Sequence, residues 1–252
     1  MRALRYTGGR GRRNGQLEPL PQNEDAIRMA RPMDKYLDMA APWAIVFLSG
    51  IPHEIAHGTV ALKCGDSTAL RAGRLSWDPR VHFDWMWTVV VPLVLLAMSG
   101  GRMCLWGLKP VPINPYYLRN IKRDIILVSI AGPLTNLAIM LVFFLLALIP
   151  GFVPAGSWNE WLFARIIWFN LILFLFNLLP IPPLDGFGVL EGLLPRSLEG
   201  LAGFLRAGGI MLLLIAMSSG LVDLMLQPVD GLLEQVRPWS PNLIGEIEHL
   251  RH

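Results

Sequence analysis

Residues 53–57 read His-Glu-Ile-Ala-His and lie inside an apolar stretch that runs from about Tyr36 to Lys63. On a helix, positions i and i+4 stand one above the other, so the imidazoles of His53 and His57 can grip a single ion. Glu54 lies beside them. It is placed to take a proton from an attacking water rather than to act as a ligand, the division of labour of a hydrolytic zinc site. The surrounding segment is long enough to cross a bilayer, and the stretch from Pro42 to His53 makes about 16 Å of helix, roughly half the hydrocarbon thickness. The five residues therefore predict hydrolytic metal chemistry at membrane depth.

Composition points the same way. Of 252 residues, 53% are hydrophobic and 16% charged, against roughly 25% charged in ordinary soluble domains. The mean hydropathy is +0.46. The net charge of +3 reflects arginine-rich ends and loops rather than a basic face, so no nucleic-acid partner is expected. Cys64 and Cys104 form no CxxC pair and are read as free thiols. Residues 1–36, with arginines at 2, 5, 10, 12 and 13, read as a polar basic tail, solvated and cytoplasmic. Residues 37–226 form the membrane domain and 227–252 a short C-terminal tail.

The expected fold is an all-α polytopic membrane protein with about five transmembrane or re-entrant helices. After the segment carrying the histidines, Trp85–Met98 is apolar but short and contains Pro92, so it is either a short span or a re-entrant piece. Asp124–Ile149 and Trp158–Leu179 are long enough to cross, and a fifth span is expected at Leu201–Leu226. The connection 99–123 carries Arg102, Lys109, Arg119, Lys122 and Arg123, whereas 151–160 carries no Lys or Arg. The basic loop should face the cytoplasm, and the N-terminus with it. Tryptophans and tyrosines at 85, 87, 106, 116, 117, 158 and 161 fall near span ends, where an interfacial belt would place them.

Two histidines do not complete a zinc site. A third protein ligand is needed, with the fourth position open. The best candidate is Asp185, in Asn177-Leu-Leu-Pro-Ile-Pro-Pro-Leu-Asp185-Gly186, where three prolines deny the backbone continued helical bonding as the fourth span ends. Broken backbone at membrane depth survives where protein buries it or where it lines a wet cavity, and a metal ion is a reason to hold a carboxylate there.

The pair of motifs, HExxH early and NxxPxPPLDG late, resembles the site-2 protease family of intramembrane zinc metalloproteases. Gly65-Asp66, Gly73-Arg74-Leu75, Pro79 with His82, Lys109-Pro-Val-Pro-Ile-Asn-Pro115 and Ala131-Gly-Pro-Leu-Thr-Asn136 are similar in order and spacing to its small prokaryotic members. The resemblance covers roughly residues 40–225. It implies a multi-pass protein of a prokaryotic cell membrane that cleaves transmembrane or membrane-proximal segments of other proteins, with one Zn2+ held by His53, His57 and Asp185. Loop 151–160 is too short for a PDZ-like domain and the last 26 residues for a nucleotide-sensing pair, so regulation is expected from a membrane partner or from substrate supply.

Other residues take lesser roles. Asn177 could donate an amide hydrogen to the oxyanion or to the substrate backbone, a role that the family resemblance favours over plain helix packing. Gly132 reads as a helix-packing glycine, Asn136 as a residue that either packs or faces the site, and His82 as an interfacial hydrogen-bonding histidine. The stretch Thr68–Trp77, with a central Gly73, reads either as a loop or as a short membrane-edge β-hairpin able to add a substrate strand, and the proline-rich 110–115 run as a rigid re-entrant loop. Two rivals remain. One is a membrane zinc peptidase whose third ligand is Glu191 or Glu199. The other is a catalytically silent membrane metal-binding or transport protein, which would have no need of Glu54.

Overall fold

A computed structural model describes residues 12–13, 16–17, 32–98 and 107–250. Most of the 1–36 tail therefore lies outside the described residues. The chain divides into two units, Met1–Ala40 and Ala41–His252. In the first, β1 (Arg12–Arg13) pairs antiparallel with β2 (Gln16–Leu17), Arg12 opposite Leu17.

Among the described residues, three long helices are apolar enough to cross a membrane. They are α1 (Pro32–Lys63) over its Ala40–Lys63 portion, α5 (Ile121–Ala147) and α6 (Trp158–Asn177). Asn120 caps α5 by accepting from Arg123 N, and Ser157 caps α6 by accepting from Glu160 N, so both helices start at a polar residue that satisfies a free backbone donor. α6 stops at Asn177 because the prolines beyond it supply no N–H to continue the ladder.

Between α1 and α5 the chain is broken into short pieces: α2 (Thr68–Arg71), α3 (Pro79–His82), a π-helical turn (Met86–Val90) running into α4 (Val91–Met98), and a 3-10 turn (Pro115–Tyr117). The π turn precedes Pro92, which cannot donate to the carbonyl four residues back; widening the ladder by one residue removes that clash. The apolar run Met86–Ala97 falls short of the length a span needs.

The β-hairpin expected over Thr68–Trp77 is not formed. Asp66 Oδ1 accepts from Thr68 N at 2.9 Å and starts a helical turn, under which Ala69 is fully buried. Gly73, the residue that suggested a hairpin, instead ends that turn with φ +66°: Arg74 N donates to Ala69 O and Gly73 N to Leu70 O, both at 3.0 Å. That pair of bonds is a Schellman motif, for which a left-handed glycine is the usual residue.

The fifth span is also different from its expectation. Leu201–Leu226 is not one helix but parts of α8 (Glu199–Ala207), α9 (Gly209–Ser218) and α10 (Leu221–Val236). α8 and α9 meet at a bend of 69°. Pro182 lies so close to Gly209 that a side chain there would strike it. Residues 227–250, expected as a tail, are helical through the rest of α10 and α11 (Pro241–His249). Leu226, Val229 and Leu233 of α10 and Leu243, Ile244 and Ile247 of α11 join Ala164, Ile167, Trp168 and Leu171 of α6 in one buried apolar cluster. Arg165, 2% exposed, is held in that region by the Trp161 ring, 4.0 Å away, and by Glu246 at 3.7 Å.

The remaining helix, α7 (Asp185–Leu193), carries the carboxylate of interest. Gly188 and Gly192, one turn apart, face Ser129 and Ile126 of α5 with no room for a β-carbon. Small residues at i and i+4 let two helix backbones approach closely in an apolar medium. Gly186 sits against the carbonyls of Leu178 and Leu179, so the turn after the prolines requires glycine directly behind Asp185.

Candidate metal centre

α1, α5 and α7 converge on one point. His53 Nε2 and His57 Nε2 are 3.0 Å apart, and Asp185 Oδ2 lies 3.1 Å from the first and 3.3 Å from the second. Among the described residues these three form the one cluster of His, Cys, Asp or Glu side chains able to hold a metal ion. Glu191 and Glu199, the rival third ligands, are engaged elsewhere: Glu191 pairs with Arg206, and Glu199 lies 3.4 Å from Lys122 Nζ.

The hydrogen-bond pattern decides what this cluster can accept. His57 Nδ1 is 2.7 Å from the Val128 carbonyl, which can only accept, so His57 carries its proton on Nδ1 and a lone pair on Nε2. His53 Nδ1 is 2.7 Å from Asn136 Oδ1. The orientation of that amide follows from its neighbours: Asn136 Nδ2 donates to Asn170 Oδ1 at 3.0 Å, and Asn170 Nδ2 donates to the Ile166 carbonyl and to Ser49 Oγ, both at 2.9 Å. Because the series ends on a carbonyl, each amide along it is fixed, and His53 must donate through Nδ1. Both Nε2 lone pairs therefore face each other and a carboxylate oxygen that has no hydrogen-bond donor.

Three acceptors in van der Waals contact repel one another unless a cation lies among them. Edges of 3.0–3.3 Å are near the roughly 3.3 Å expected from a tetrahedral ion with bonds of about 2.0–2.1 Å. Space is kept as well. Gly132 faces the pair, and a β-carbon there would collide with the Nε2 atoms of both histidines. Gly132 thus serves the ligand atoms, beyond the helix packing for which the sequence suggested it. Two nitrogens and one oxygen with room beside them are a zinc donor set of the open, catalytic kind.

Glu54 is outside this cluster. Its Oε2 accepts from Val111 N at 2.7 Å, so its carboxylate is turned to the proline-rich segment. Asn177 is the last residue of α6, and its Nδ2 donates to the Leu173 carbonyl of the same helix at 2.9 Å. His82 is fully buried, and its Nε2 is hydrogen-bonded to the Ser76 carbonyl at 2.7 Å.

Comparison with known proteins gives the centre its family. Over 196 residues the chain is 35% identical to the protein of Bacillus subtilis (strain 168) named "Putative zinc metalloprotease YwhC", covering 75% of this chain and 85% of that protein. The chain belongs to this zinc metalloprotease family. Similarly named relatives are MJ0611 of Methanocaldococcus jannaschii, 38% identical over 141 residues (55% of this chain, 63% of the relative), and Rip2 of Mycobacterium tuberculosis (strain ATCC 25618 / H37Rv), 33% identical over 152 residues (60% and 56%). No family profile and no solved structure matches the chain. Zn2+ is the cofactor of this family, and His53, His57 and Asp185 are the site this chain offers it.

Ser49, Asn136 and Asn170 come from three spans, α1, α5 and α6, and are separated by 34 to 121 positions. Sequence reading reached Asn136 alone. The network has a measurable consequence: Asn136→Leu removes the acceptor that holds His53 in register, and zinc affinity is expected to fall about 10–100-fold, the usual effect of losing such a supporting partner. Competition with a chromophoric chelator measures this directly. An unchanged affinity would show that the ring needs no such support.

Proposed function

We propose that the protein is an intramembrane endopeptidase of the site-2 type, cleaving transmembrane or membrane-proximal segments of other membrane proteins. The observation that carries this reading is the convergence of three electron-pair donors, with no hydrogen-bond donor among them, two of them on a helix apolar enough to cross a membrane. Buried charged and ligating groups in such helices are costly to place and mark function.

When bound by His53, His57 and Asp185, zinc supplies a Lewis acid that polarises the scissile carbonyl and acidifies water. Everything else falls to the side chains. With one oxygen tied to Val111 N–H, Glu54 keeps the other for the proton of the attacking water, and it returns that proton to the leaving amine. Asn136 and Val128 hold the two imidazoles in the tautomer that leaves Nε2 free. The silent-carrier reading gives Glu54 no task.

Asn177 is proposed as the donor to the developing oxyanion or to the extended substrate backbone. Its amide has a second N–H besides the one given to Leu173. Asn177→Ala should keep zinc and thermal stability and lower turnover by roughly 10²-fold or more, as deletion of one preorganised donor does. If stability fell while activity per folded molecule stayed intact, Asn177 would be a packing residue only.

We also propose that the N-terminus and the 99–123 loop face the cytoplasm. With native cysteines removed, single cysteines in residues 1–36 and 99–123 should resist an impermeant thiol reagent in intact cells, and one at Ala155, an exposed position, should label. The opposite pattern would invert the site.

A further inference from the structure

The segment Lys109–Pro115 is a strap laid across α1, and its construction is specific. Pro110, Pro112 and Pro115 have no N–H and fix their own φ, which leaves few donors in the run. Three of those donors are committed to partners. Lys109 N donates to the His82 carbonyl at 2.9 Å, Val111 N to Glu54 Oε2 at 2.7 Å, and Asn114 N to Asp66 Oδ2 at 2.6 Å. The Arg74 guanidinium donates to the Lys109 carbonyl. The strap is therefore anchored two residues before Val111 and three residues after it, and Val111 between the anchors meets Glu54.

Both anchoring side chains are buried: Asp66 is 0% exposed and Arg74 7%. Burial opposes ionisation of the Asp66 carboxyl, but hydrogen bonds from Thr68 and Asn114 outweigh it and hold the group below the usual carboxylate range, so it is a charged acceptor at neutral pH. Gly58, one turn beyond Glu54 on the same helix face, lies under the strap. A β-carbon at Gly58 would press on Leu75 and on Val111. The strap is thus seated on α1 beside Glu54 by shape, and it is fixed along its length by two buried charges.

We propose that Asp66 and Arg74 are positioning residues for Glu54. They act through the strap backbone, whose Val111 N–H binds one oxygen of the Glu54 carboxylate and so dictates which oxygen receives the proton. A carboxylate on a flexible side chain samples several orientations, and a general base misplaced by about 1 Å can lose on the order of 10²-fold in rate. The inference rests on the reading of Glu54 as the base.

Its test replaces the N–H by an ester oxygen and leaves every side chain in place. Valine 111 is exchanged for its α-hydroxy analogue, which turns the 110–111 amide into an ester, and Asp66→Ala and Arg74→Gln are made alongside. The zinc-loaded full-length proteins are compared in infrared difference spectra, the Glu54 carboxylate band being the one missing from Glu54→Gln. Cleavage of a synthetic transmembrane peptide is followed in the same preparations.

The ester should shift the Glu54 band to higher wavenumber, keep zinc and Tm, and lower kcat about 10²-fold with KM unchanged. Asp66→Ala and Arg74→Gln should reproduce the band shift, and Arg74→Lys should restore the native band at least in part. A native Glu54 band in the ester protein would overturn the proposal, whatever the two side-chain variants do to folding. Full turnover in Glu54→Gln would instead sink the reading of Glu54 as base. Full turnover of the ester beside an inactive Glu54→Gln would sink the strap proposal alone.

Discussion

Glu54→Gln is expected to keep its zinc, its fold and its membrane insertion and to lose cleavage by several orders of magnitude. The expectation follows from where the side chain stands. Glu54 is one residue from His53, yet its carboxylate is bound to Val111 N at 2.7 Å and is not among the three ligand groups. Glutamine has nearly the same shape but no basic oxygen. General-base catalysis alone is worth on the order of 10²–10⁴-fold, and here the same group also returns the proton to the leaving amine. Zinc content by elemental mass spectrometry, measured beside cleavage in detergent or liposomes, separates the two properties. Unchanged turnover would remove Glu54 from the mechanism. Loss of zinc would make Glu54 part of the metal site.

The second large effect is on the metal itself. Asp185→Ala should abolish tight zinc binding as completely as His53→Ala does, from about one ion per chain to none. Two facing Nε2 atoms 3.0 Å apart cannot on their own hold a hydrolytic ion against water, and Asp185 Oδ2 is the third electron-pair donor within reach of both. Glu191→Ala and Glu199→Ala should leave zinc in place, because those carboxylates are spent on Arg206 and Lys122. Full zinc in Asp185→Ala, with loss in either glutamate variant, would reassign the third ligand.

The three side chains that meet at the candidate metal centre were legible in the sequence because each is announced locally. His53 and His57 are one helical turn apart, and Asp185 follows a run of prolines that must break a span. What surrounds them was not legible. The support for His53 comes from Asn136, 83 positions away, and Glu54 meets Val111 across 57 positions. No spacing rule connects residues brought together only by packing.

The misread elements fail for a related reason, that one residue type serves two structures. Gly73 suits a hairpin and a Schellman end equally, and Asp66 with Ala69 tips the choice to the helical turn. The apolar run Leu201–Leu226 satisfies the composition of a span. The chain bends between Ala207 and Gly209, where Gly209 lies against Pro182, a contact no window of hydropathy contains. Residues 227–250 follow the last expected span, and their sequence alone does not show what their apolar positions meet. Val229, Leu233, Leu243, Ile244 and Ile247 are buried in the cluster on α6.

Intramembrane cleavage is tested most directly by mapping new N-termini in membrane proteins from cells that hold only Glu54→Gln, compared with cells holding the native protein. The native cells should contain a small set of neo-termini lying within or beside transmembrane segments. In the variant cells these should be absent, and the matching full-length membrane proteins should accumulate. Identical sets of termini in the two cell populations, with zinc still bound to both proteins, would contradict a protease role and leave a metal-binding membrane protein in its place.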